Sequence, residues 1–115
     1  MLHDGEMKVE LLVVADCPNE ALAAAVLRQA LDDAGMSLVS FTRRVVTSQQ
    51  EADQLGFLGS PSILIDGHDP FAAPEQNPAL ACRLYRDNSG VTGVPPLERL
   101  RQALESVPDE GRRPL

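Results

Sequence analysis

Two cysteines, Cys17 and Cys82, and two histidines, His3 and His68, are the side chains of this 115-residue chain best suited to nucleophilic or metal chemistry. They are too few for a disulfide scaffold or a four-thiolate zinc site. Cys17 stands in Asp16-Cys17-Pro18-Asn19, directly after an apolar run. Proline is favoured as the first residue of a helix, which makes Cys17 the N-cap, its sulfur over backbone N–H groups that lack helical partners. Those groups and the helix dipole stabilise a thiolate. Glu20 reaches back to the same cap and Asp16 precedes it, so two carboxylates oppose the thiolate. The balance predicts a mildly reactive thiol.

Cys82 lies in Ala81-Cys82-Arg83-Leu84-Tyr85, where simple inward and outward alternation makes it an inert strand cysteine. To act instead as a resolving thiol for Cys17, it needs the proline-rich 68–81 segment to bring the two Cα atoms within about 7 Å. His68, after Asp66-Gly67, reads as a solvated loop residue, with a proton shuttle near Cys82 as its functional alternative. His3 falls in a stretch expected to be disordered. Arg43 and Arg44 are neighbours in a strand, so one must point away from the other. A surface face suits them, with receipt of a substrate carboxylate such as that of glutathione as the alternative. Arg83 and Arg86, on either side of Tyr85, read as an anion clamp or as charge that protects an edge strand.

The elements that must position these residues follow from periodicity. Residues 8–15 form a β-branched run that ends nearly all apolar, as a central strand buried on both faces should. Leu22, Val26, Leu27, Ala30 and Leu31 recur at helical spacing up to Gly35, a ready left-handed cap. Residues 38–47 are strand-like, and Ser48 with Glu51 has the form of a capping box that opens a short helix ending near Gly56. Gly59-Ser60-Pro61 leads into a third strand, 62–65, which Asp66-Gly67 ends in a turn. Residues 68–81 read as a loop or short irregular helix, 82–85 as a fourth, edge strand, and 87–90 as a turn. Pro95-Pro96 opens a last helix with Leu97, Leu100, Leu104 and Val107 on one face. A crossover helix makes the first two strands parallel.

The length fits one domain, expected over residues 8–107, between a flexible start at 1–7 and a flexible tail at 108–115. Ten basic against seventeen acidic side chains give a net charge of −7, which repels phosphate backbones and anionic membranes. Nucleic acid and membrane are therefore excluded as expected partners. No apolar stretch approaches the roughly 20 residues that span a bilayer, and residues 1–6 carry acid instead of a basic cluster, so a cytoplasmic location is expected.

Strand, Asp16-Cys17-Pro18-Asn19 at a helix start, then Leu55-Gly56-Phe57-Leu58-Gly59-Ser60-Pro61-Ser62 leading a strand into Asp66-Gly67 resembles the thioredoxin-like superfamily. The match runs from about residue 8 to residue 106 and implies an α/β fold in the order β-α-β-α-β-β-α, with a mixed four-stranded sheet flanked by helices. The resemblance makes Cys17 the reactive cysteine and Pro61 the cis-proline that faces it, with Ser60–Pro61 as the cis bond. The redox members carry a second cysteine three residues after the first; Glu20 occupies that position here.

On this resemblance the chain is expected to be a small thiol-disulfide oxidoreductase without a cofactor. Cys17 is the nucleophile, Pro18, Ser60 and Pro61 shape the substrate site, and Cys82 resolves the mixed disulfide. Its partners are a disulfide-bearing protein or a small thiol such as glutathione, and an exposed edge strand is as compatible with a homodimer seam as with a free edge. Cys17, Glu20 and Cys82 are also similar to the cysteine, acid, cysteine constellation of alkylmercury lyases. That similarity implies mercury held by both thiols and a proton from Glu20 to the departing carbon. A catalytically silent interaction domain is the third expectation, favoured by Glu20.

Overall fold

The computed structural model describes residues 7–87 and 90–106. The expectations for His3, Val107 and the 108–115 tail lie outside the described residues. Strand β1 (Val9–Val13) is central because, Glu10 apart, it carries apolar side chains on both faces. Val9, Leu11 and Val13 join one core cluster with Leu27 and Leu31, while Leu12 joins a second with Val46, Ala52, Phe57 and Leu64. Met7 is buried in the first cluster.

Helix α1 (Glu20–Asp33) carries the chain from β1 to β2 (Phe41–Val45), the crossover that a parallel pair requires. It ends as the sequence foretells. The Met36 amide donates to the Leu31 carbonyl at 2.8 Å and the Gly35 amide to the Asp32 carbonyl at 3.1 Å, with Gly35 at φ 79°. These two bonds are the pair that closes a helix on a left-handed glycine. Helix α2 (Gln49–Leu55) begins at Ser48, whose hydroxyl accepts the Glu51 amide at 3.0 Å, and ends at Gly56, φ 68°. The Glu51 carboxylate accepts from the Thr47 amide at 3.0 Å, completing the cap one residue further back than the usual box.

Strand β3 (Ser62–Ile65) runs antiparallel to β1, giving a mixed sheet in the order β2-β1-β3. The first core cluster unites β1 and β3 with α1 and with Leu100 and Leu104 of α3 (Leu97–Glu105), and the second lies under α2. The sheet is thus covered by α1 and α3 on one face and by α2 on the other. After β3, Asp66 and Gly67 both have positive φ, as the tight hairpin turn with left-handed central residues requires, and His68 pairs back to Ile65.

Three expectations are corrected. Among the described residues the sheet has three strands, and the expected fourth is not shown. Cys82 makes only an isolated bridge with Ser60, and β4 (Tyr85–Asp87) pairs instead with an unexpected strand β5 (Gly90–Thr92) in a separate antiparallel ribbon. Beyond the bridge, side chains take over from peptide groups at the β3 edge. Arg83 donates to the Ser62 hydroxyl and the Tyr85 hydroxyl to the Pro61 carbonyl. Second, α1 starts at Glu20 with Asn19 as N-cap, so Cys17 is not the cap. The Glu20 amide already bonds the Cys17 carbonyl at 3.3 Å in a four-residue turn, but the helical ladder opens only with the Ala23 amide on the Asn19 carbonyl. Third, β2 spans 41–45 within the expected 38–47, and Leu38 is wholly exposed.

Candidate functional site

Cys17 lies in the turn between β1 and α1, half-buried, with its side chain packed against the first core cluster. Asn19, although it is the N-cap, makes no side-chain bond to the helix; its amide sits against Gly93. The first-turn amides of α1 therefore receive no side-chain acceptor from the cap residue. Pro18 is exposed.

Glu20 does not reach back to Cys17. It forms an ion pair with Arg43 on β2, accepting through both carboxylate oxygens, and this bond to Glu20 holds the Arg43 guanidinium above its ordinary range. Arg44 pairs with Glu51 at 2.8 Å. The two neighbouring arginines thus point to opposite faces, Arg43 toward α1 and Arg44 toward α2, as strand alternation demands. Both are already occupied by protein carboxylates.

Ser60 is the residue that joins the two cysteine-bearing segments. Its hydroxyl accepts the Val14 amide at 3.0 Å, where β1 runs on toward Cys17. Its own amide donates to the Ala81 carbonyl at 2.7 Å, and its carbonyl accepts the Arg83 amide at 3.0 Å, so Cys82 is its bridge partner. The Ser60–Pro61 peptide is cis. Both residues are buried, and residues 81–83 lie along them. The Cys82 side chain is exposed, and both thiols are free.

The segment carrying Cys82 is fixed by its neighbour. Arg83 is 3% exposed and forms an ion pair with Asp69 at 2.5 Å, with further bonds to the Ser62 hydroxyl at 2.9 Å and the Phe71 carbonyl at 3.0 Å. Its guanidinium also lies 4.7 Å from the centre of the Tyr85 ring, and Phe71 meets that ring edge-on at 5.3 Å. Burial pushes the Tyr85 hydroxyl well above its ordinary range, against the opposing charge of Arg83. Gly59 completes the packing: at φ 123°, a Cβ there would stand 2.9 Å from the Arg83 Cβ.

Of the residues singled out in the sequence, the structure brings together Ser60, Pro61 and Cys82, and ties Ser60 to the strand that leads to Cys17. It takes Glu20 to Arg43 and places His68 in the hairpin turn after β3, at the end of the sheet away from Cys17. Asp69 and Tyr85, which hold the Cys82 segment, were not singled out. The only sequence signal for them was an arginine inside an otherwise apolar alternation. Among the described residues no group of three or more His, Cys, Asp or Glu side chains is placed to hold a metal ion, and no helix is long and apolar enough to cross a membrane. Compared with protein-family models, curated proteins and solved structures, the chain matches none.

Proposed function

We propose that the chain is a thioredoxin-like thiol-disulfide oxidoreductase in which Cys17 and Cys82 form the redox pair. The observation that carries this reading is the double tether at Ser60, whose side chain holds the β1 end and whose peptide groups hold the segment of Cys82. The β1-α1-β2 unit, with Cys17 just before α1 and Ser60–Pro61 leading into β3, supports the resemblance seen in the sequence.

The Cys17 thiolate attacks a partner disulfide, forming a mixed disulfide and releasing one partner sulfur as a thiolate. The Cys82 thiolate then attacks the Cys17 sulfur, releasing the second partner sulfur and leaving Cys17 and Cys82 joined. Two electrons pass to the partner. A small thiol such as glutathione, itself oxidised to its disulfide, returns the pair to the reduced state.

The test is reduction of a protein disulfide by wild type, Cys17→Ser and Cys82→Ser with glutathione as reductant. Cys17→Ser should abolish activity, and Cys82→Ser should trap the mixed disulfide. Activity retained in Cys17→Ser overturns the assignment. The second reading, a catalytically silent interaction domain, is favoured by the burial of Ser60 and Pro61 beneath residues 81–83. An inactive wild type selects it. Mercury lysis gains nothing from Glu20, whose carboxylate oxygens face the Arg43 guanidinium.

A further inference from the structure

A groove of about 700 Å3 lies at the end of the sheet opposite Cys17, between α3 and the loop that follows β3. Its size is in the range of small-molecule sites. Ile65, Phe71 and Ala103 supply an apolar lining, and Arg99, His68 and Gln102 supply polar groups that converge on it. Arg99 differs from most arginines of the fold. Arg28, Arg43, Arg44, Arg83 and Arg101 each pair with a carboxylate, whereas Arg99 has no carboxylate partner among the described residues.

The Arg99 guanidinium is nonetheless held in place. Its Nη1 donates to the Arg86 carbonyl at 3.1 Å, and its central carbon lies 5.4 Å from the centre of the Phe71 ring. Nε and Nη2, which make no hydrogen bond among the described residues, suit a carboxylate in the two-pronged geometry that guanidinium favours. An oriented cation with no carboxylate partner among the described residues, beside an aromatic face and in a protein of net charge −7, is a local attraction for an anion with a flat apolar body. Asp66 also borders the groove and accepts the Lys8 amide at 2.8 Å.

We propose that this groove binds a small aryl carboxylate, with the carboxylate on Arg99, the ring against Phe71 and Ala103, and His68 and Gln102 completing the polar contacts. The site is separate from the thiols and stands whether or not they are redox-active. The experiment is a titration of the full chain with phenylpropionate, followed by backbone amide shifts, alongside phenylpropanol and the Arg99→Gln variant. Saturable shifts should centre on His68, Phe71 and Gln102, and Arg99→Gln should weaken binding about tenfold or more. Phenylpropanol should bind more weakly by a similar factor. No saturable shift with phenylpropionate, equal binding of phenylpropanol, or affinity unchanged in Arg99→Gln each overturns the proposal.

Discussion

Ser60 and Cys82 face each other across a two-bond bridge, and the hydroxyl of the same serine holds the Val14 amide. A polar group buried at the junction of two segments is stabilising only while each of its bonds is made. The Cys82 segment therefore keeps its place through what surrounds Ser60: Gly59 behind it, Arg83 beside it and Tyr85 beyond.

At Gly59 a methyl group would meet the Arg83 Cβ at 2.9 Å and the Ala81 carbonyl at 3.2 Å, on a backbone with φ 123°. Gly59→Ala should destabilise the fold by about 1–3 kcal/mol, seen in urea unfolding. It should also speed hydrogen exchange at the Arg83 amide, the donor to Ser60. Unchanged stability and exchange would mean that the 81–83 segment is not packed on Gly59.

The Arg83–Asp69 pair is buried on both sides, with side chains 2% and 6% exposed, and Arg83 Nε is buried without a hydrogen-bond partner. Removing one charge leaves the other uncompensated. Asp69→Asn should cost about 3–5 kcal/mol in chemical denaturation, and the double replacement Asp69→Leu with Arg83→Met should recover much of that loss. Equal losses in the single and double variants would contradict the role of the pair as a matched clamp.

Tyr85 is the chain's only tyrosine, so phenolate absorbance reports it alone. Burial raises its ionisation range in the folded state above that of the unfolded chain. The unfolded chain then loses its phenolic proton first as pH rises, so the contribution of Tyr85 is complete below about pH 10 and is lost progressively above it. Phenolate should appear together with alkaline unfolding, not before it. Tyr85→Phe should remove this part of the alkaline destabilisation, with about 1 kcal/mol lost at neutral pH through the missing bond to the Pro61 carbonyl.

Much of the framework was legible because its causes are local. The apolar run of β1, the glycine that closes α1, the Ser48 cap and the Asp66-Gly67 turn each depend on residues a few positions apart, and each is found. The order of β1, α1, β2, α2 and β3 followed from them. The region after β3 was read less well because its determinants are distant in sequence. Arg83 reaches Asp69 fourteen positions away, and the Tyr85 hydroxyl reaches Pro61 twenty-four positions away. An arginine in an alternating run suggests an exposed edge; here the buried partner carboxylate turns it inward. The same holds for Glu20, which local spacing directs to the Cys17 cap and which Arg43, on another strand, draws away. The groove beside Arg99 combines an α3 face with a loop thirty residues earlier, and no local pattern announces it.

The central claim is that Cys17 and Cys82 act as one redox pair. Its most direct test is differential alkylation with mass spectrometry on the wild-type chain, equilibrated in glutathione buffers of graded potential. Both thiols should become protected together, in a single reversible two-electron transition that yields an internal Cys17–Cys82 disulfide. Independent alkylation of the two cysteines at every potential, or uptake of glutathione by Cys17 with Cys82 left free, would contradict it.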